Sequence, residues 1–266
     1  MGQRIHIIGC PPRSGTTLMT ELMVNGFAID GYTPHETSVF VCPRERFEVL
    51  CTKNPRDVLA VRPLLALDPD LWVIYVLRDP RDVVVSRHQQ APDKYWANLG
   101  MWKERQRAAR ALRSHPRFVT VRYEDLVADP NAEQQRLRRA MPFLIPRADF
   151  ADYHRHAHPS GKSVQALGGV RPISTTSIGR WREYKPRVAA QLALHGPITD
   201  DLIDLGYEPD AGWLRELDGV TPDNQVSRWP EGRSPAQGAK RALRRAVATL
   251  RYALGLSRRV SMERPE

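Results

Sequence analysis

The chain has 266 residues, of which 41% are hydrophobic and 26% charged, values that are ordinary for a globular protein. No apolar run approaches the roughly 20 residues of a membrane-spanning helix, and the first residues enter a strand-like run without a signal-peptide core, so we expect a cytoplasmic protein. Three cysteines without a CxxC pair argue against a disulfide framework and against a zinc ribbon.

The formal net charge is +10, but it is concentrated near the end of the chain. Residues 232–260 contain eight basic residues and no acidic one, which leaves the rest of the chain nearly neutral. A protein that binds nucleic acid normally carries a basic patch on its folded domain. The charge distribution therefore argues against a nucleic-acid partner.

Apolar runs rich in Val and Ile alternate with helical patterns along most of the chain. This alternation predicts an α/β fold with a parallel sheet flanked by helices. The predicted strands cover residues 5–8, 47–50, 72–77 and 118–121. The predicted helices cover residues 17–25, 56–66, 80–88 and 95–114, with one more after Pro130, and residues 142–177 are loop-rich.

The composition predicts one domain over residues 1–215, a linker over 216–235 and a basic helical tail over 236–266. In the tail, Ser234-Pro235 is a helix start and Gly255 a stop, and apolar residues recur between them at three- and four-residue spacing. Three interpretations of this helix stay open: that it packs back on its own domain, that it makes a peripheral membrane contact, or that it docks a partner or an anionic acceptor.

Residues 9–17 lie between the first predicted strand and the first predicted helix. Free backbone N–H groups and the positive end of the helix dipole at such a place form a site for anionic oxygen. The Walker pattern does not fit, because Gly9 and Gly15 are one residue too far apart and Thr16 stands where the lysine should be. A kinase or ATPase is therefore a weaker interpretation of this phosphate loop.

The phosphate loop resembles that of the PAPS-dependent sulfotransferases, which reads PKSGTT or PRSGTT. The resemblance implies a P-loop-like fold, PAPS as donor, PAP as product and no metal. It assigns the 5'-phosphosulfate to the loop residues Arg13, Ser14, Gly15, Thr16 and Thr17. A second motif of that family, an Arg at a strand end and a Ser eight residues later in the helix, is matched by Arg78 and Ser86 and implies a site for the 3'-phosphate.

Two later segments extend the resemblance. Tyr123, in residues 122–126, matches the family's YEDL segment, whose Tyr lies by the adenine; an exposed capping segment is the alternative. Ser177, Gly179 and Arg180 match the Gly-x-Trp segment that closes over the nucleotide. The Arg-Lys-Gly that precedes this segment in the cytosolic branch is replaced here by residues 174–176, which are Ser-Thr-Thr.

Sulfuryl transfer needs a base for the acceptor hydroxyl and cations on the donor oxygens. Residues 51–55 contain no His and are similar to the Cys-x-Lys-x-Pro segment of tyrosylprotein sulfotransferases, which implies that Lys53 stabilises transition-state charge. The Glu-Glu-Thr segment of the same branch implies Glu36 as the base, with His35 as the alternative. Ser163 resembles the late Ser of that branch, which contacts the sulfate.

The sequence permits more than one interpretation of its histidines and of its activity. His154, His156 and His158 suggest either a metal site or a polar loop, and we favour the loop because no Cys or paired acid is near. A small-molecule kinase and a non-enzymatic, membrane-recruited nucleotide-binding adaptor are the rival functions. The resemblance does not fix the acceptor. A carbohydrate, lipid or small metabolite is favoured over a protein tyrosine, and the sequence does not determine an oligomeric state.

Overall fold

The computed structural model describes residues 2–88, 91–232 and 234–264. Its strands are β1 Gln3–Gly9, β2 Gly31–Glu36, β3 Cys42–Pro43, β4 Val49–Lys53, β5 Leu71–Leu77, β6 Arg87–His88, β7 Ala91–Tyr95, β8 Phe118–Arg122 and β9 Arg259–Val260. Its α-helices are α1 Thr16–Gly26, α2 Val61–Leu67, α3 Pro80–Val84, α4 Leu99–Arg110, α5 Tyr123–Ala128, α6 Pro130–Ala140, α7 Tyr153–His156, α8 Gly161–Leu167, α9 Lys185–His195, α10 Thr199–Asp204 and α11 Pro235–Ala253.

The central sheet has five strands in the order β2-β4-β1-β5-β8, and all of its pairings are parallel. Side chains alternate across it, so that Ile5 and Ile7 pack with α1 on one face while Ile8 packs with α2 and α4 on the other. Both faces are covered, as parallel sheets require. The predicted α/β fold is confirmed.

Several predicted elements are shorter than expected. The helix predicted over 80–88 ends at Val84, and the one predicted over 95–114 begins at Leu99, where the Asn98 side chain accepts the Met101 N–H at 2.8 Å. The helix predicted over 56–66 is divided into a 3-10 turn, Asp57–Leu59, and α2. The strand predicted over 47–50 is displaced to Val49–Lys53. The helix after Pro130 is confirmed as α6.

Residues 218–232 lie along the surface of the domain without a regular helix. Asn98 donates to the carbonyls of Trp229 and Pro230 at 3.1 and 3.0 Å, and Arg187 donates to that of Gln225 at 3.0 Å. Burial of Arg187 lowers the pKa of its guanidinium. These bonds hold the predicted linker against the body of the protein.

The chain after this segment forms α11 and then β9, which belongs to a separate two-stranded sheet. The Ser234 side chain caps α11, as the sequence predicts, and β9 pairs in parallel with β3. Arg233, one of the eight basic residues near the end of the chain, lies outside the described residues. Within the described ranges no helix combines the length and the apolar character that crossing a membrane requires.

Candidate active site

The five strands of the central sheet each end next to a residue that the sequence analysis assigned to the site. Glu36 and Lys53 are the last residues of β2 and β4, and β1 leads into the phosphate loop. Arg78 follows β5, and Tyr123 follows β8. Because parallel strands end at one edge, all five positions line up along the carboxyl side of the sheet, where α/β proteins bind ligands.

The phosphate loop has an unusual backbone. Gly15 precedes α1 with φ 100°, and Arg13 is the non-glycine residue with positive φ, 83°, in the described chain. A Cβ at Gly15 would lie 2.5 Å from Cδ2 of Tyr123. Glycine is therefore required where the loop passes the tyrosine ring.

A cavity of about 600 Å³ opens beside this loop. Nine of the residues assigned to donor binding line it: Arg13, Gly15, Thr16, Thr17, Arg78, Ser86, Tyr123, Ser177 and Arg180. Ser14 does not line the cavity. Its hydroxyl accepts the backbone N–H of Cys10 at 3.2 Å, a hydrogen bond within the phosphate loop. Gly179 lies outside the lining as well.

Two arginines dominate the cavity wall. Arg78 donates to the carbonyls of Arg13 and Ser177 at 3.1 and 2.7 Å, and its guanidinium lies 4.3 Å from the centre of the Tyr123 ring. Its Nε is buried and has no hydrogen-bond partner. Burial, and then the charge of Arg78, lowers the pKa of the Arg13 guanidinium.

Neither of these arginines has a carboxylate within 4.0 Å among the described residues. Two neighbouring cations in a half-enclosed cavity are costly unless an anion compensates them. Burial raises the pKa of Asp82 and of Glu124, which lie nearby, whereas the charge of Arg78 lowers it. The two arginines give the cavity wall a basic character that suits an anionic ligand.

Ser86 occupies a position different from the expected one. Its place in the helix after Arg78 was a wrong prediction, because α3 ends at Val84 and Ser86 lies in the connection to β6. The run of three valines at 83–85 disfavours helix continuation. The hydroxyl of Ser86 nevertheless faces the cavity, where it accepts the Nε–H of Arg13 at 3.0 Å.

Asp82 holds the segment of residues 177–181 against the cavity, a role that the sequence analysis missed. Its carboxylate accepts the backbone N–H groups of Gly179 and Trp181 at 2.8 and 2.9 Å. Burial, and then the charge of Asp79, raises the pKa of Asp82. The Tyr123 hydroxyl bonds that of Ser177 at 2.7 Å, so the segment is fastened at two points.

Lys53 lies on the other side of the phosphate loop. Its ammonium donates to the hydroxyl of Thr17 at 2.8 Å. Burial lowers the pKa of Lys53, whereas the charges of Glu36 and Glu21 raise it. The lysine is thus connected to the loop through one hydroxyl and is flanked by two carboxylates.

Glu36 is the Cα partner of Lys53 in the pairing of β2 with β4. Its side chain is 42% exposed and forms an ion pair with Arg56 at 3.0 Å. His35 is also exposed, and its carbonyl accepts a hydrogen bond from the Thr37 hydroxyl at 3.4 Å. Both candidate bases are open to an incoming acceptor.

Ser163 is buried in α8, and its side chain hydrogen-bonds the carboxyl of Glu21. Glu21 is 7% exposed, and burial raises its pKa, while Ser163 and the charge of Lys53 lower it. The sequence analysis missed Glu21. The available signal was an acidic residue between Met19 and Leu22 on the apolar side of a predicted helix.

The comparison with known families matches residues 36–143 to the model described as the sulfotransferase family. The match covers less than half of the chain but contains Glu36, Lys53, Arg78, Ser86 and Tyr123. Over residues 36–143 the chain is similar to the sulfotransferase family. The resemblance drawn from the sequence motifs is supported over this segment.

No curated protein matches this chain. Solved structures similar to it include the sulfotransferase domain of the Synechococcus PCC 7002 olefin synthase, with 15% identity over 68% of this chain and 88% of that one and a TM-score of 0.47. A sulfotransferase domain of the curacin biosynthetic pathway has 13% identity, coverages of 68% and 90% and a TM-score of 0.45. Retinol dehydratase in complex with androsterone and PAP has 16% identity, coverages of 93% and 80% and a TM-score of 0.35.

The three histidines at 154, 156 and 158 lie in and just after α7. In the described part of the chain, no group of three or more His, Cys, Asp or Glu residues is arranged to hold a metal ion. His154 instead packs its ring edge-on against Tyr153, which lines the cavity.

Proposed function

We propose that the protein transfers a sulfuryl group from PAPS to an acceptor hydroxyl and releases PAP. The observation that carries this proposal is the pair Arg13 and Arg78, two cations without carboxylate partners in the described residues that face one cavity at the start of α1. PAPS, when bound, supplies an activated sulfuryl group and two separate phosphate positions. The donor set of the cavity fits such a polyanion.

The residues around Arg78 form the proposed 3'-phosphate site. Arg78 lines the cavity, and Arg–phosphate contacts are charge-assisted. Ser86 offers a hydroxyl beside it. The Tyr123 ring, already in contact with Arg78, provides an apolar surface on the same wall for the adenine.

The loop and Lys53 form the proposed site for the phosphosulfate. The N–H groups at the start of α1 and the side chain of Arg13 face anionic oxygen there. Lys53 reaches the same helix start through Thr17 and stabilises the charge that develops on the leaving oxygen. Its buried position strengthens this interaction, because the effective dielectric constant is lower than in water.

Glu36 is the proposed base for the acceptor hydroxyl, and His35 is the alternative. The carboxylate of Glu36 lies beside Lys53 at the open side of the sheet edge, so it can accept a proton from a bound acceptor. Ser163 is proposed to act at the sulfate side, where its bond to Glu21 orients it. The acceptor proposed is a carbohydrate, lipid or small-metabolite hydroxyl rather than a protein tyrosine.

Ligand binding and labelled sulfate transfer test this proposal separately. PAP is expected to raise the melting temperature, whereas ATP with Mg²⁺ is not. Adenosine 5'-phosphosulfate, which lacks the 3'-phosphate, is expected to bind more weakly than PAPS does. Arg138→Ala, an exposed position at the end of α6, serves as a charge-matched control for variants of Arg78.

The activity assay uses ³⁵S-labelled PAPS and a cell extract as a source of acceptors. Transfer of label to a molecule of the extract, abolished by Lys53→Ala, is the expected result. Stabilisation by ATP with Mg²⁺ but not by PAP points instead to a kinase. Binding of PAP without transfer to any acceptor points to a nucleotide-binding adaptor.

A further inference from the structure

Helix α11 presents an apolar stripe to the solvent. Its members recur at three- and four-residue spacing and therefore lie on one side of the helix. The exposed fractions are 66% for Leu243, 49% for Val247, 60% for Leu250 and 62% for Leu254. The helix contacts the domain through Tyr252, but this stripe is left exposed.

The side of α11 that faces the body is the opposite one. At about 100° per residue, Tyr252 lies about 180° around the helix from Leu243. The Tyr252 hydroxyl donates to the Asp68 carboxylate at 2.5 Å and accepts a hydrogen bond from Arg4, whose guanidinium also lies 5.6 Å from the tyrosine ring. Burial raises the pKa of this hydroxyl. The tyrosine thus fixes which side of the helix faces outward.

The residues after α11 fix its end on the domain. β9 pairs with β3, and Glu263 and Tyr32 exchange backbone hydrogen bonds at 2.9 Å. Met262 is buried against Phe47 and Leu50. Because both Tyr252 and this return segment contact the body, the apolar stripe is held outward and does not depend on a free tail.

One flank of the stripe carries positive charge. Lys240, Arg244 and Arg251 lie about 60 to 100° around the helix from Leu243, along one edge of the stripe. Residues 234–260 contain no acidic residue, and none of these three cations forms an ion pair with a described residue. The apolar stripe and the basic edge beside it form one surface. Such a surface complements a ligand in which an apolar layer is bordered by anionic groups.

We propose that α11 docks this protein on an anionic lipid bilayer, with the stripe in the acyl boundary and the three cations at the headgroups. A straight apolar stripe on a helix about 28 Å long suits a flat surface, and interfacial helices combine such a stripe with basic flanks. A nucleic acid requires the cations but not the exposed leucines. The proposal concerns membrane docking alone and does not depend on the donor or on the acceptor.

Co-sedimentation of the full chain with lipid vesicles tests the docking. Vesicles of phosphatidylcholine with phosphatidylserine are expected to bind at least tenfold more tightly than vesicles of phosphatidylcholine alone. The triple variant L243S/V247S/L250S is expected to lose at least tenfold in affinity. The matched control I145S/L194S replaces two equally exposed apolar residues elsewhere, 66% and 58% exposed, and is expected to bind like the parent.

The electrostatic part has its own variant. In K240Q/R244Q/R251Q each lost cation is expected to weaken binding to anionic vesicles roughly fivefold. Added salt is also expected to weaken the binding of the parent chain to these vesicles, because it screens the same charges. R138Q/R139Q, at the exposed end of α6, is the control. Circular dichroism and melting temperature verify the fold of each variant, since the replaced side chains are exposed.

Three results would overturn the proposal. One is absence of vesicle binding by the parent chain at low salt, and another is equal binding to neutral and to anionic vesicles. The third is dimerisation in place of vesicle binding: the parent chain sediments as a dimer and does not bind vesicles, and the stripe variant does not form the dimer. That last result assigns the stripe to self-association.

Discussion

Arg78 performs two tasks at the level of a single residue. It lines the cavity, and it joins the phosphate loop to the 177–181 segment through two backbone carbonyls. Arg78→Ala is therefore expected to weaken PAP binding by about 1.5 to 3 kcal/mol, through the lost charge-assisted bond. Isothermal titration calorimetry measures this loss. Arg78→Lys keeps the charge and is expected to retain part of the affinity, and equal losses in both variants would contradict a charge-assisted contact.

Glu36→Gln is expected to lower turnover roughly a hundredfold or more while donor affinity changes little, because the base acts on the acceptor. Steady-state kinetics with labelled donor separates the two quantities. Arg56→Gln removes the ion-pair partner of Glu36 and serves as a control that is expected to stay active. Loss of activity in His35→Ala, with full turnover in Glu36→Gln, would assign the base to His35.

Glu21→Gln is expected to change the pH dependence of the reaction. The Glu21 carboxylate raises the pKa of Lys53, so the removal of its charge lowers that pKa further. Since Lys53 is proposed to act as a cation, the alkaline fall in activity moves to lower pH in this variant. The profile of turnover against pH shows the shift. Glu133→Gln, a buried acid on α6 away from Lys53, is the control, and an unmoved alkaline limb would contradict the electrostatic role of Glu21.

The carboxylate of Asp82 connects α3 to residues 177–181. Asp82→Asn keeps the size of the side chain but weakens its two bonds to backbone N–H groups. We expect faster hydrogen exchange in residues 177–181 and a loss of PAP affinity of about 1 to 3 kcal/mol. Hydrogen-exchange mass spectrometry reports the first effect directly. Unchanged exchange together with unchanged affinity would show that other contacts hold the segment.

The last residues of the chain pack into the fold, whereas the apolar stripe of α11 is exposed. Met262 is 9% exposed within a small apolar cluster, whereas Leu250 is 60% exposed. Met262→Ala is expected to lower the free energy of unfolding by about 1 to 3 kcal/mol, and Leu250→Ala to change it by less than about 0.5 kcal/mol. Denaturant unfolding compares the two. A larger cost for Leu250→Ala than for Met262→Ala would mean that the stripe packs on the domain in solution.

The fold class and the loop between β1 and α1 follow from local sequence patterns. Valine- and isoleucine-rich runs specify buried parallel strands, and Arg78 comes directly after one of them, β5. The capped start of α11 was equally local, because Ser234 and Gln237 bond each other across one helical turn. These features depend on neighbours within a few residues.

Features of the fold and of the site that depend on contacts between distant residues do not follow from local sequence patterns. The length of α3 and the side that α11 turns outward are set by packing against segments far along the chain, and hydrophobic spacing does not report such packing. The pairing of Arg13 with Arg78 joins residues 65 positions apart, and the bond of Glu21 to Ser163 joins α1 to α8. Burial then sets the pKa shifts of Lys53 and Asp82, since the cost of a charge depends on which groups enclose it.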